Sequence, residues 1–282
     1  MDYVLITGAS TGIGYTTTQH LLEKGFFVFG SVRNLKDAER LENDFGKNFK
    51  ALVFDVTDGE AINAAVPIVK SIVNNNGLTA LVNNAGIVVS GPMQHVPIEK
   101  LDYQLNVNVL GVMRVTQAFL SLLGAEKNAA IAPGRIIQMS SVSGKITAPF
   151  LGPYAASKYA LEAISDALRR ELVIYGIKVI ILEPGPVKTP IWGKAISTDQ
   201  GDYQDTAYAK ILKKQNKSIQ KTEASAIPAE EVAKIVYKSI VTKSPKTRYI
   251  IAKKAWTYKI FSSLPDKWLD NAVTKDLKKL SE

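Results

Sequence analysis

Tyr154 and Lys158 stand four residues apart in Pro153-Tyr154-Ala155-Ala156-Ser157-Lys158, a run that opens a segment whose apolar positions Ala160, Ile164, Leu168 and Leu172 recur every four residues. That period predicts a helix, and an i, i+4 pair shares one of its faces. A lysine ammonium beside a phenol favours the phenolate, lowering the tyrosine pKa from about 10 toward the range useful for proton transfer. The spacing alone is cheap, since Tyr249 and Lys253 repeat it. They fall in a strand-like run, where four residues span roughly 13 Å and the electrostatic help is lost. Context separates the two pairs. Ser141 follows the strand-like run Arg135–Met139, thirteen residues before Tyr154. The carboxyl end of a strand in a parallel sheet faces a binding crevice, so Ser141 can reach the substrate oxygen that Tyr154 protonates or deprotonates.

A second constellation lies near the N-terminus, where Thr7-Gly8-Ala9-Ser10-Thr11-Gly12-Ile13-Gly14 follows the apolar run Val4-Leu5-Ile6 and opens a helical pattern. Gly8, Gly12 and Gly14 permit a tight turn and close backbone approach, so that the helix N-terminus, with Ser10, Thr11 and Ile13, meets a pyrophosphate. The spacing departs from GxGxxG, and a plain strand-to-helix turn is the alternative. About 20 residues further on, an NAD site would place an acidic residue against the ribose hydroxyls. Here the strand ends Phe29-Gly30-Ser31-Val32-Arg33-Asn34. Arg33, with the hydroxyls of Ser10 and Thr11, suits a 2′-phosphate instead, so NADP(H) is the expected dinucleotide. A surface arginine with NAD(H) still accepted is the alternative.

These residues need elements to hold them. Strand-like runs at Tyr3–Thr7, Phe26–Ser31, Lys50–Phe54 and Thr79–Val82 alternate with helical stretches at Ile13–Lys24, Leu35–Asn43 and Asp58–Asn74, the rhythm of βαβ units. Val4-Leu5-Ile6 and Val179-Ile180-Ile181-Leu182 are continuously apolar, as expected where helices cover both faces of a parallel sheet. A doubly wound, Rossmann-type α/β sheet follows. Pro228 opens a helical pattern through Val241, and Arg248–Ala252 reads as the last strand. The polar stretch 188–227 is expected to be a lid, because loops of that length inside compact domains are functional or disordered.

At 282 residues the chain suits one large domain, although two small ones would fit the length. Zero cysteines exclude disulfides, cysteine nucleophiles and thiolate metal sites, and His20 and His95 alone argue against a histidine metal cluster, so no metal is expected. His20 is expected on a helix surface and His95 in a surface loop, with substrate contact the alternative for His95. Met1-Asp2-Tyr3-Val4-Leu5-Ile6 lacks the basic start and long apolar run of a secretory signal, which predicts a cytoplasmic protein. The whole net charge of +9 lies in residues 188–282. Such a stretch can attract nucleic acid, anionic lipid or an acidic partner, and most often is a solvated face.

The ordered set of the glycine turn at 7–14, Asp55-Val56, Asn83-Asn84-Ala85-Gly86, Asn108, Ser141, Tyr154/Lys158 and Pro184-Gly185-Pro186-Val187-Lys188-Thr189 resembles the single-domain branch of the short-chain dehydrogenase/reductases over roughly residues 1–190. Pro228–Ala233 and Pro245–Tyr249 look like its hydroxysteroid and retinol dehydrogenase end. The resemblance implies a seven-stranded parallel sheet and an alcohol–carbonyl interconversion by a Ser-Tyr-Lys-Asn set. Asp55 and Val56 would border the adenine; Asn83, Ala85 and Gly86 would line the cofactor and brace the central strand. Asn108 would hold a water linking Lys158 to solvent, with Asn106 the alternative assignment. Pro184, Gly185, Val187 and Thr189 would hold the nicotinamide end. A homodimer or homotetramer is also implied.

Phe150, Leu151, Ile191 and Trp192 flank the expected pocket and suggest a lipophilic substrate, though the same residues could pack a lid. The extension 253–282 carries Trp256, Phe261, Leu264 and Trp268 among lysines, which raises peripheral membrane contact; capping the sheet or closing a subunit interface is the alternative. Three readings compete with the alcohol–carbonyl enzyme, the first being a sugar epimerase or dehydratase, whose resemblance calls for tighter glycine spacing and a bigger C-terminal domain. A catalytically idle scaffold or cofactor sensor is opposed by the intact Ser141/Tyr154/Lys158 set, and a nucleic-acid binder rests on the basic tail alone and is not expected.

Overall fold

The computed structural model describes residues 1–190, 203–214 and 226–281. One sheet contains β1 (Tyr3–Ile6), β2 (Phe27–Val32), β3 (Phe49–Val53), β4 (Ala80–Asn83), β5 (Arg135–Met139), β6 (Lys178–Pro184) and β7 (Arg248–Ile251). Their order is β3-β2-β1-β4-β5-β6-β7 and every pairing is parallel. Around it lie α1 (Gly12–Glu23), α2 (Leu35–Phe45), α3 (Gly59–Val73), α4 (Ile98–Leu105), α5 (Val112–Phe119), α6 (Gly152–Glu171) and α7 (Ala229–Val241). Two helices, α8 (Ala255–Phe261) and α9 (Asp266–Ser281), follow β7.

The strands are apolar at successive positions because both faces are covered. Val4, Ile6, Val28 and Ile137 join one core, with Leu21 of α1 and Val232 and Val236 of α7. Leu5, Phe29 and Ile136 point the other way, to Val69 of α3, Phe119 of α5 and Leu168 of α6. Alternation along each strand thus persists beneath a uniform sequence. The helix starts also follow local chemistry. Asn34 accepts a hydrogen bond from the Asp37 amide at 2.8 Å to begin α2, and Asp58 accepts from the Ala61 amide at 3.0 Å to begin α3. Pro228 stands at the N-cap of α7.

Strand order reverses on either side of β1, so a crevice opens at the carboxyl ends of β1 and β4. The segments leaving β1, β2, β4, β5 and β6 carry the residues singled out in the sequence. Between Lys188 and Ile227, residues 209–214 are helical, and the two ends of the excursion are joined: Val187 and Ile227 form a parallel bridge, with Lys188 N donating to Ile227 O at 3.0 Å. His20 is half-buried rather than on the surface, its ring edge-on to Tyr237 of α7 at 5.7 Å, because α1 packs directly on α7.

Two glycines test this packing. A Cβ on Gly14 would run into the Gly8 carbonyl oxygen and come within 2.6 Å of Asn84 Nδ2, whereas one on Gly59, at the start of α3, would meet nothing within 4 Å. Gly14→Ala is expected to cost about 1–3 kcal/mol or more through overpacking, and Gly59→Ala to gain about 0.4–1 kcal/mol by restricting the unfolded chain. Urea denaturation of the two variants measures both, and effects of equal size and sign would contradict the assignment.

Candidate active site

The glycine turn is built where only glycine is comfortable: φ is +69° at Gly8 and +57° at Gly12. It also touches two other strand exits. A Cβ on Gly8 would stand 3.0 Å from Ala85 Cα, and one on Gly12 would stand 3.3 Å from Thr189 Cβ. The Thr7 hydroxyl accepts from the amides of Asn84 (3.0 Å) and Ala85 (2.9 Å), while Asn84 Nδ2 donates to the carbonyls of Thr7 (2.9 Å) and Gly8 (3.2 Å). Thr7 and Asn84 received no individual role from the sequence, yet they tie the exit of β1 to that of β4.

Of the two roles expected for Asn83, lining the cofactor and bracing the central strand, its side chain takes the second. Neighbouring residues at a strand end point to opposite faces, so Asn83 is buried and its Nδ2 donates to the Thr116 hydroxyl of α5 at 2.9 Å. It braces β4. Ala85 and Gly86 remain at the crevice side, where a Cβ on Gly86 would lie 3.3 Å from Asn108 Oδ1.

The first turn of α1 has no acidic residue, and the side chain of its N-cap Thr11 makes no capping bond. Its amides are therefore left for an anion, unlike those of α2 and α3. Ser10 is half-buried, and its carbonyl accepts from Arg40 Nη2 at 2.9 Å; Thr11 is exposed and Ile13 packs against the core. Arg33 stands exposed beyond the end of β2; Arg40, which bonds the turn, received no role from the sequence. Asp55 is held by Thr57, whose amide (2.9 Å) and hydroxyl (2.7 Å) both donate to Oδ1. Val56 is buried against Gly111.

Tyr154 and Lys158 are both buried in the first turns of α6. Lys158 Nζ lies 5.6 Å from the centre of the Tyr154 ring and donates to the Met139 carbonyl, at the end of β5, at 2.7 Å. Ser141 Oγ accepts from Ser143 N at 3.1 Å, donates to the Pro184 carbonyl at 3.4 Å and hydrogen-bonds the Tyr154 side chain. The ends of β5 and β6 thus meet the start of α6. Burial pushes the Tyr154 phenol up, opposed by its hydrogen bond with Ser141. Burial lowers Lys158 to about 8, opposed by the Glu162 carboxylate one turn further along α6. The lowered tyrosine expected from the spacing is therefore not found in the free protein, because desolvation of the phenol outweighs the help available to the phenolate. Tyr249 lies in β7, as expected, with its hydroxyl accepting from Lys246 N at 3.0 Å.

Asn108 belongs to a π-helical stretch, Asn106–Gly111, between α4 and α5; such stretches recur at functional sites. Asn106 Oδ1 is turned to Arg114 at 2.8 Å, whereas Asn108 faces the site. Its Oδ1 accepts from Ile87 N at 2.9 Å, and its Nδ2 donates to Ile87 O at 3.0 Å and to Ser157 Oγ at 3.1 Å. Gln104, one turn earlier and fully buried, makes a parallel set: Oε1 accepts from Val89 N at 2.6 Å, and Nε2 donates to Ile87 O at 3.0 Å and Ser157 Oγ at 3.4 Å. Ser157 Oγ in turn donates to the Tyr154 carbonyl at 2.7 Å. Gln104 was not singled out in the sequence; its place four residues before Asn108 on one helix face was the available signal.

On the open side of the crevice, Phe150 adopts φ +65°, rare for a non-glycine residue. Its carbonyl accepts from Gly91 N at 2.8 Å and its ring meets Tyr208 edge-on at 5.7 Å, while Tyr208 meets the exposed His95 at 5.9 Å. Leu151, half-buried, accepts from Ala155 N at 2.8 Å. Buried Tyr203 packs on Gly91, where a Cβ would come within 2.8 Å of its Cζ. Residues 203–214 therefore rest on the loop after β4 and on Phe150. Ile191 and Trp192 lie outside the described residues. At the end of β6, Gly185 N donates to Ile251 O at 3.0 Å, and buried Val187 forms the bridge to Ile227.

A family model described as short chain dehydrogenase matches residues 2–200. An NADPH-dependent 3-dehydrocapnine reductase from Ornithobacterium rhinotracheale is 47% identical over 283 residues, covering 100% of this chain and 99% of its own. Mouse (Mus musculus) retinol dehydrogenase 16 is 34% identical over 92% of this chain and 82% of its own. The crystal structure of a short-chain dehydrogenase from Streptomyces avermitilis superposes with a TM-score of 0.78 at 25% identity, over 99% of this chain and 97% of that one. With its crevice at the ends of β1 and β4 and its family match over most of its length, this chain belongs to the short-chain dehydrogenase/reductase family, enzymes that interconvert alcohols and carbonyls.

Proposed function

We propose that this protein is an NADP(H)-dependent reductase of a lipophilic ketone, with Tyr154 as the proton donor. The observation that carries this reading is the convergence of Ser141, Tyr154 and Lys158 where β5 and β6 end. The Ornithobacterium relative is named as NADPH-dependent and as reducing a 3-dehydro compound, and Arg33 stands where an acidic residue would favour NAD(H).

The residues fit the dinucleotide. The uncapped first turn of α1 and the positive-φ glycines Gly8 and Gly12 suit a pyrophosphate. Ser10, Thr11 and Arg33 suit the 2′-phosphate, Asp55 and Val56 the adenine, Ala85 and Gly86 the wall along the cofactor, and Pro184, Gly185, Val187 and Thr189 the nicotinamide end. When bound, NADPH supplies the hydride. The protein's own part is to hold the carbonyl oxygen between the Ser141 hydroxyl and the Tyr154 phenol, and to give up the phenolic proton as charge develops on that oxygen. Lys158 stabilises the phenolate left behind. Asn108, whose side chain is held by Ile87 and Ser157, would hold the water leading from Lys158 to solvent. Residues 203–214, which rest on Phe150 and Gly91, act as a lid, and Phe150 and Leu151 contribute the apolar wall.

Tyr154→Phe removes the proton donor but keeps the ring, so ketone-dependent NADPH oxidation should fall by several orders of magnitude, with NADPH affinity by fluorescence nearly unchanged. A variant with the wild-type rate would end this mechanism. Arg33→Asp loses the pairing with the 2′-phosphate and adds repulsion, which should move the kcat/KM ratio from NADPH toward NADH; a wild type that already prefers NADH would show Arg33 to be misassigned.

The pH dependence has a defined sign. Burial holds the proton on Tyr154, and Lys158 carries its charge only below about 8. For reduction, kcat/KM should stay level below that pH and fall as pH rises through about 8. Glu162→Gln removes the carboxylate that favours the ammonium and should move the fall to lower pH. A fall centred instead near the ordinary lysine value of about 10 would contradict the assignment.

A further inference from the structure

The two helices after β7 leave apolar side chains in solvent. Trp256 is 65% exposed, Ile260 51%, Phe261 47% and Trp268 68%, and α8 buries no residue at all. Large aromatic residues concentrated within thirteen positions of chain are unlike the singly scattered apolar residues of an ordinary surface. Lysines are interleaved with them: Lys253, Lys254, Lys259 and Lys267 are all exposed. None of the four ammonium groups pairs with a carboxylate among the described residues. In α9 the half-buried positions Leu269, Val273, Leu277 and Leu280 form one stripe, so the exposed Trp268 lies off the helix's own apolar seam and has no packing role to explain it.

Their position in the fold gives this surface a direction. All strands are parallel, so α8 leaves β7 at the same edge of the sheet that carries the crevice. Tyr258 of α8 reaches back to that edge: its hydroxyl is 3.5 Å from where a Cβ on Gly185 would stand. An apolar, aromatic and basic surface flanks the crevice mouth.

We propose that α8 and the start of α9 dock on an anionic lipid bilayer, with Trp256, Ile260, Phe261 and Trp268 entering the headgroup region and Lys253, Lys254, Lys259 and Lys267 meeting lipid phosphates. Tryptophan prefers the membrane–water boundary, and lysines near an anionic surface add attraction within a Debye length. A second protein chain would be an equally good cover for the aromatics but gives no role to four unpaired lysines around them. No helix among the described residues is long and apolar enough to cross a membrane, so the contact is peripheral. It sets the crevice mouth toward the lipid.

The test is co-sedimentation of the full chain with vesicles of phosphatidylglycerol and phosphatidylcholine, against vesicles of phosphatidylcholine alone, at low and high salt. Binding is expected to need the anionic lipid, to weaken with salt, and to shift tryptophan emission to the blue. The surface substitutions Lys253→Gln, Lys254→Gln and Lys259→Gln together should lower the partition coefficient by about 100-fold, and Trp256→Ala with Trp268→Ala should abolish the blue shift. Absence of anionic-selective binding by the wild type overturns the proposal without requiring any variant. So would binding unchanged by either set of substitutions, or sedimentation of the lipid-free wild type as a dimer that the two tryptophan substitutions dissociate. None of these readouts depends on the reductase assignment.

Discussion

The hydrogen bond from Lys158 to the Met139 carbonyl is the interaction on which the rest of the site depends. It places an ammonium group in a buried site, 2.7 Å from the last residue of β5. Keeping it charged is costly, since desolvation penalises the ionised form. The folded chain binds its proton less tightly than the unfolded chain does. The cost is therefore fully present below about 8 and is relieved as pH rises toward the ordinary lysine value of about 10.4, a window in which this group makes stability increase with pH. A chain selected only for stability would replace such a lysine with an apolar residue of similar length.

Much of the surrounding architecture can be understood as support for that charge. The parallel sheet brings the exits of β5 and β6 to one edge, where Met139 and Pro184 offer carbonyls to Lys158 and Ser141. Glu162, on the same helix, supplies the opposing charge, and its own Oε2 is held by Arg248 of β7 at 3.0 Å and Lys145 at 3.3 Å. Gln104 and Asn108 converge on Ser157, which bonds the Tyr154 carbonyl, so the first turn of α6 is pinned from below. Preorganisation of this kind matters because a proton donor displaced by a fraction of an ångström loses its alignment with the reacting oxygen. The left-handed backbone of Phe150, clasped by Gly91, is a further strained point at the crevice rim.

The sheet was legible because both of its signals are local. Apolar runs separated by helical periods identify the strands, and the glycine turn and Tyr154/Lys158 helix each declare themselves within a few residues. The family resemblance added the strand count and the order of the motifs. Three kinds of fact were not legible. The orientation of Asn83 depends on which face of β4 it occupies, which a uniformly apolar strand does not reveal. The clamp by Gln104 depends on a bend in the chain that brings residue 87 against residue 104. The state of Tyr154 depends on burial from several elements at once, and the i, i+4 spacing registered the attractive charge while missing the desolvation that outweighs it.

The organisation of this site rests on Lys158 being a buried, charge-bearing group poised near neutrality. Labelling lysine side chains with carbon-13 at the ε position and following their NMR signals against pH in the free protein measures this directly. A signal with a midpoint near 8 that disappears in Lys158→Met is expected. If the signal lost in that variant instead titrates at the ordinary lysine value of about 10.4, Lys158 is solvated and the burial that organises this site is absent.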